Sequence, residues 1–460
     1  MRKKSILAIC LIVPLLVACN TNTIPAPSSY VDGTWAGLFK GYWSSMNSNY
    51  IFWDLDSPTR EWDTAYEQYI GKFEALGTID YSDTETTKKA LRYFYDISKN
   101  LSDGHYLFGL VGMDEKSYFF TPNAGRLAKE LDPTLTDDDL FSYICTNGHL
   151  DLKKQFPETE AAENFTSIMQ NTFQIDPTAY GSVVYSWDHE EDTDFDTLDR
   201  YFSRWVLFPP SYDDTSSSPG MLMGVTKENT ALSIPSNCFY FLLEEFGVTG
   251  VKGENRDRIV SSFYEFFGRE GLKGFVLDLR GNPGGYAEDL PLLFSKFSNK
   301  DIPFLRYRSK EGSNRLDYGP WRTTTLPTSL ASTDDPSPLM EKPIAVITNS
   351  MSVSCAEMTT LLFKSFPKGK SVGNHTRGGE GILVDNSSTT YAGGGFVLYQ
   401  NSKRILNVYT PFIENVPLNS ESFEGKGIPA DIHVDFNYAD FTNHTDARLN
   451  AAFKYVNDNQ

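Results

Sequence analysis

Apolar positions change their period along this chain, and the changes divide it. Over 30–110 they recur every three to four residues. Trp35, Leu38, Phe39, Tyr42 and Trp43 share one face, Trp62, Tyr66, Tyr69 and Phe73 a second, and Leu91, Phe94, Ile97 and Leu101 a third. That spacing predicts three helices packed on aromatic stripes. The pattern stops at Leu101-Ser-Asp-Gly-His-Tyr106, where Asp103-Gly104 predicts a tight turn into a strand. From 221 onward, short apolar runs alternate with helical spacing. Strands are expected at 239–243, 274–279 and 344–348, helices at 256–268, 290–297 and 355–366, and further short strands to about 434. Such alternation predicts an α/β domain.

The stretch 111–220 has no clear period. It carries acidic loops, such as 190–199, and a Pro/Ser/Asp-rich segment, 209–219. The acidic run 192–196 hints at calcium but lacks the glycine and distal glutamate of an EF-hand loop, so it reads as a solvated loop. The organisation expected is a helical bundle over 30–110, a middle segment of unclear fold over 111–220 and an α/β core over 221–450.

The first residues set the compartment. Arg2, Lys3 and Lys4 precede an apolar run over 6–18, too short to span a bilayer, and Leu16-Val17-Ala18-Cys19 follows as a cleavage box. The segment resembles a bacterial lipoprotein signal. The resemblance implies removal of 1–18, acyl chains on Cys19 and anchoring in the cell envelope, at a periplasmic face or a cell surface of a Gram-negative bacterium. Residues 19–29, rich in Pro, Ser and Thr, would be a tether. The plain alternative is a secretory signal beside a chance cysteine.

Composition removes several function classes. The net charge is −19 and becomes more negative without the basic signal, which argues against nucleic acid as a partner. Beyond Cys10 and Cys19 the cysteines are Cys145, Cys238 and Cys355, too dispersed for a disulfide framework or a zinc site. No HExxH is present, and no metal or other cofactor is expected. Aromatic residues make up 14% of the chain, which suits filled cores and keeps an aromatic-lined cleft open as a reading.

Four places carry candidate chemistry. Ser354 stands between the predicted strand 344–348 and the predicted helix 355–366, where a hydroxyl can meet a carbonyl and helix N–H groups can hold an oxyanion. Ser354-x-x-Glu357 is equally a capping box that needs no catalysis. Phe275-Val-Leu-Asp-Leu-Arg-Gly-Asn-Pro-Gly-Gly285 runs a strand into a glycine-rich loop that can aim N–H groups at a substrate, or be an ordinary tight turn. His105, in its turn, can be a base for a serine or a structural residue. Glu424, in Glu-Gly-Lys-Gly-Ile-Pro-Ala-Asp431, can orient a histidine or lie solvated in a turn. Ser365-Phe-Pro-Lys368 matches Ser-x-x-Lys, but Pro367 breaks the helix that the motif requires.

Taken together and in order, Asp103-Gly104-His105, Asp278–Gly285, Ser352-Val-Ser354-Cys-Ala-Glu357 and Glu424–Asp431 resemble the C-terminal processing peptidase and tricorn-type serine peptidase family. The resemblance implies a ClpP/crotonase-like peptidase core, Ser354 as nucleophile, and an oxyanion hole from the Cys355 N–H with a glycine N–H of Gly284 or Gly285. The processing branch uses a lysine base after Val-Gly, but here Val372-Gly373 leads to Asn-His-Thr-Arg-Gly-Gly-Glu380 with Gly379 at the lysine's place. Arg377 stays protonated and cannot substitute. The tricorn-like branch implies His105 as base and Glu424 as its partner. His375, close in sequence to the missing lysine, is a competing base by residue type. The expected activity is that of an envelope serine endopeptidase or processing peptidase acting on peptides or proteins. A non-catalytic binding protein on the same scaffold, or an esterase, are the alternatives. No carboxylate-binding loop of a PDZ domain is found in 111–220.

Overall fold

The computed structural model describes residues 31–56, 62–113, 116–186, 195–211, 218–328, 339–383 and 394–460. The export signal, Cys19, the tether and most of the acidic run 192–196 lie outside the described residues. Among the described residues no helix is long and apolar enough to cross a membrane.

An eight-stranded sheet forms the centre. Its order is Ile432–His433, Gly369–Gly373, Ile344–Thr348, Gly274–Asp278, Cys238–Leu243, Met221–Thr226, Phe202–Phe208, Val184–Tyr185. The first five strands pair in parallel and the last three antiparallel. Every residue of the four strands between 221 and 348 is buried. Such runs need both faces of the sheet covered. On one face, helices Glu254–Phe267, Asp289–Phe294 and Cys355–Lys364 pack through Phe263, Phe266, Phe294 and Phe363. On the other, the C-terminal helix Ala447–Asp458 and helix Phe165–Asn171 bring in Phe453, Val456 and Ile168. This is the mixed α/β architecture that alternating runs predict. Helix Cys355–Lys364 stops short of residue 366 because Pro367 cannot continue the ladder and restricts the residue before it.

Helices Trp35–Asn49, Trp62–Glu74 and Thr84–Ser98 supply the aromatic stripes. Phe39 stacks on Phe73 at 4.5 Å and Trp43 on Trp62 at 4.4 Å between ring centroids. They rest on a second sheet, ordered Phe396–Gln400, Lys403–Tyr409, Leu107–Met113, Lys116–Phe120. Its first two strands come from the far end of the chain, and Leu107 pairs with Tyr409. The chain just after His105 is thereby tied to the C-terminal half. Among its described residues the stretch 111–220 carries several short helices, among them Pro122–Leu131 and Asp137–Asn147, before it delivers two strands to the central sheet.

A buried ion network clamps the C-terminal helix to the sheet. Arg280 bonds Asp278 at 2.5 Å, Glu163 at 2.7 Å and Asp446 at 2.9 Å, and Arg448 bonds Glu160 at 2.7 Å and also Glu163. The Arg280 side chain is 0% exposed. Removing one member of such a network leaves charges unpaired in a dry site. Arg280→Met is expected to lower unfolding free energy by about 3–5 kcal/mol in urea denaturation; a loss below about 1 kcal/mol would show that the network is not a structural clamp.

Candidate active site

Strand Ile344–Thr348 ends in a turn that is fixed by its own side chains. The Ser352 hydroxyl donates to the Leu279 carbonyl at 2.7 Å, and the Val353 N–H donates to the Asn282 carbonyl at 3.0 Å. Ser354 follows at φ 62°, ψ −119°, a left-handed backbone rare for a non-glycine residue, and the helix begins at Cys355. This sharp turn puts Ser354 at the end of the sheet beside a helix N-terminus. Strained backbone of this kind persists only where its surroundings over-determine it.

Glu357 supplies much of that determination. Its buried carboxylate accepts from the N–H groups of Ser354 (3.1 Å), Gly378 (2.8 Å) and Gly379 (2.7 Å) and from the Thr376 hydroxyl (2.5 Å). Burial pushes its pKa up, against the pull of these donors. The glutamate side of the capping box is therefore present, and the same carboxylate also holds the loop 376–379. The Gly379 carbonyl in turn accepts from the Ser354 N–H at 3.1 Å.

The other face of that loop meets His105. A Cβ on Gly379 would lie 3.1 Å from His105 Nδ1 and 2.8 Å from Val353. A Cβ on Gly104 would lie 1.9 Å from the Gly378 carbonyl oxygen. A lysine at 379 would need the space that the imidazole fills. Asp103 builds the turn, accepting from the His105 N–H at 2.8 Å and the Thr410 hydroxyl at 2.6 Å. Glu424 accepts from the N–H groups of Gly104 (2.6 Å), Glu380 (2.8 Å) and Gly381 (3.2 Å).

A ring nitrogen of His105 and carboxylate oxygens of Asp103 and Glu424 all lie within 4.8 Å of one another. Both ring nitrogens are buried and neither has a hydrogen-bond partner among the described residues. Burial, with the charge of Arg377, pushes the imidazole pKa down to about 4. Burial raises Asp103 to about 7 and, with the charge of Asp103, raises Glu424 well above the usual carboxylate range. Among the described residues this trio alone brings three such ligand atoms close enough to hold a metal ion. Its four carboxylate oxygens already accept hydrogen bonds.

Gly284 packs directly on the serine turn at φ +92°. A Cβ there would lie 2.5 Å from Ser354 Cβ and 3.0 Å from the Cys355 nitrogen. Its own N–H is engaged by Asn282 Oδ1 at 2.8 Å, and its carbonyl accepts from the Phe246 N–H at 2.7 Å. In a trans peptide the Gly285 N–H then points away from Phe246. Neither the Gly285 nor the Cys355 N–H has a hydrogen-bond partner among the described residues. The Cys355 thiol donates to the Gly285 carbonyl at 3.0 Å and stays protonated, burial raising its pKa to about 12.

His375 faces elsewhere, its Nδ1 2.7 Å from the Thr376 carbonyl and its Nε2 3.2 Å from Glu130. Ser365 and Lys368 bond separate carbonyls, those of Leu362 and Asn459. Sequence reasoning assigned Glu357 only a cap and gave Gly378 no part. The adjacent glycines 378 and 379 were the available signal, since a glycine pair marks close backbone approach.

Residues 240–434 match the sequence model of Peptidase family S41. Over that segment the chain is similar to S41 peptidases. A curated relative from Staphylococcus aureus (strain N315), named a probable CtpA-like serine protease, is 24% identical over 183 residues. That alignment covers 40% of this chain and 30% of the relative, so the chain spans under a third of the length of the curated relatives it matches. A solved candidate peptidase from Parabacteroides merdae ATCC 43184 is 17% identical with a TM-score of 0.54, covering 92% of this chain and 96% of its own. Mature CPAF is 12% identical with a TM-score of 0.52, covering 92% and 98%. At these identities the two structures show a fold shared with this chain.

The environment of His105 sets a pH signature. Folding excludes its proton, so the corresponding stability is present above pH ~6.5 and is lost as pH falls toward 4. Ring nitrogen shifts in a 15N-histidine NMR titration are expected to show a midpoint near pH 4 for His105; a midpoint at or above 6.5 would contradict a dry, neutral imidazole.

Proposed function

We propose that this chain is a serine endopeptidase or processing peptidase that works through an acyl-enzyme on Ser354. The observation that carries the reading is the bridging role of Gly379, which binds the Ser354 backbone on one side and packs against a neutral, unpartnered His105 on the other. Ser354 Oγ attacks the peptide carbonyl. His105 takes the hydroxyl proton and returns it to the leaving amine, and water then hydrolyses the ester by the same route. The Cys355 and Gly285 N–H groups receive the oxyanion, both being free donors beside the serine turn. Gly284 serves by lacking a side chain that would fill this space. Glu424 orients His105 and offsets the charge it gains. The relay tightens as substrate enters, because unpaired buried ring nitrogens gain partners.

The lipoprotein-like signal supports an envelope-anchored enzyme, and the net charge of −19 supports peptide or protein rather than nucleic-acid partners. A second reading, a binding protein on this scaffold, is favoured by the absence of a hydrogen bond from the His105 ring to any described group.

A fluorophosphonate probe with mass-spectrometric mapping separates the two. Labelling is expected at Ser354, to vanish in Ser354→Ala, and to slow by about 100-fold or more in His105→Ala. Labelling that survives Ser354→Ala would remove the nucleophile, and unlabelled but folded wild-type protein would favour the binding reading. Cleavage of an unstructured protein substrate distinguishes the peptidase from an esterase.

A further inference from the structure

His375 has the chemistry of a base, but both of its ring nitrogens are engaged away from Ser354. Nδ1 lies 2.7 Å from the Thr376 carbonyl oxygen and Nε2 lies 3.2 Å from Glu130 Oε2. A backbone carbonyl and an ionised carboxylate only accept, so the ring satisfies both with a proton on each nitrogen. The hydrogen bond to Glu130 accordingly raises the imidazole pKa above its ordinary value. Gly427 closes over the ring at φ +77°. A Cβ there would lie 2.9 Å from His375 Nδ1 and 1.9 Å from the Thr376 carbonyl oxygen.

The loop 374–379 is gripped by two elements in turn. Glu357 takes Thr376, Gly378 and Gly379. Helix Pro122–Leu131 takes the residues between, His375 and Arg377. Arg377 Nε donates to Asn123 Oδ1 at 2.8 Å, and Asn123 Nδ2 donates to the Arg377 carbonyl at 2.8 Å. Asn123 and Glu130 are seven positions apart, two helical turns, so they share one face of the helix about 10 Å from each other. The two ties differ in chemistry. An amide and a guanidinium keep their protons through neutral pH, whereas the His375 tie lasts only while the ring is doubly protonated. Glu158 and Glu160 line the cavity of about 400 Å³ beside the ring, with Glu160 held by Arg448. Lys426, next to Gly427, is exposed.

We propose that His375 is a positioning residue: as the imidazolium it pins the loop 374–379 to helix Pro122–Leu131, and loss of its proton loosens the loop and slows the reaction at Ser354. The effect on reaction rests on the peptidase reading; the pinning of the loop does not. Because the folded pKa is raised, the tie is complete below pH ~6.5 and is lost as pH rises through the folded midpoint. His105 gives up its proton at about 4, well below that window, whereas Asp103 titrates at about 7, inside it. Variants of the tie therefore separate His375 from Asp103.

The experiment follows the full-length protein from about pH 5.5 to 9. In a 15N-histidine NMR titration, His375 is expected to show a midpoint above ~6.5 that falls in Glu130→Gln. Across the wild-type midpoint, the fluorophosphonate labelling rate is expected to drop by about two- to fivefold, the reach of a partly exposed ion pair. Hydrogen-exchange protection of the Gly378 and Gly379 amides is expected to drop with it. Both drops are expected to vanish in Glu130→Gln, whose amide can donate to the neutral ring, and in His375→Gln, while a change that belongs to Asp103 stays. The Glu130 side chain is 54% exposed, so its replacement leaves the fold in place. A wild-type His375 midpoint at or below 6.5, protection that does not fall across the midpoint, or drops that persist undiminished in Glu130→Gln overturn the proposal. A labelled protein with constant rate and protection removes this inference alone. An unlabelled folded protein removes the peptidase reading alone, and amide exchange then decides whether His375 pins the loop.

Discussion

The carboxylate of Glu357 is the interaction on which the site depends. It sits fully buried at the first turn of helix Cys355–Lys364 and gathers four donors from two segments. A buried carboxylate without such partners would be costly, so the helix terminus and the loop 376–379 are obliged to stay together. Positive charge at a helix N-terminus favours the same arrangement. The loop passes the constraint outward. Gly104 packs on Gly378, His105 on Gly379, and Asn374 reaches Glu160 at 3.0 Å, a member of the buried ion network. Strand end, serine turn, histidine turn and C-terminal clamp thus share one connected set of polar contacts.

The same packing controls charge. Asp103, Glu380 and Glu424 lie in dry surroundings that raise all three carboxyls, and burial is the largest cause for each. His105 is driven the opposite way, toward the neutral imidazole. Negative charge on the surrounding acids and positive charge on His105 disfavour themselves singly and favour each other. In the proposed relay, charge gained by the imidazole is offset where a neighbouring carboxyl is ionised.

Much of this was legible in the chain. The strand Ile344–Thr348 stands where its apolar run predicts, and Ser354 lies at the predicted strand-to-helix turn. The cap does not exclude the proposed nucleophile, because Glu357 caps through the Ser354 backbone N–H. The pairing of Phe396–Gln400 and Lys403–Tyr409 with the strand after His105 was not legible, since period-2 runs do not name distant partners. Residues 111–220 defeated periodicity because short helices and capped loops carry little repeat. Nor could the sequence tell which amide of Gly284 and Gly285 stays free: hydrogen-bond direction comes from Asn282 and Phe246, brought in by the fold.

Glu357→Gln tests the central claim most directly, because it keeps the shape and replaces an acceptor oxygen with a donor. The measurement is the fluorophosphonate labelling rate of the folded variant, with folding checked by circular dichroism and denaturation. Loss of the bonds that fix the loop is expected to slow labelling by about 100-fold, as small misplacements of reacting groups do. A folded variant that labels at the wild-type rate would show that Ser354 and His105 are positioned without Glu357 and would contradict the account.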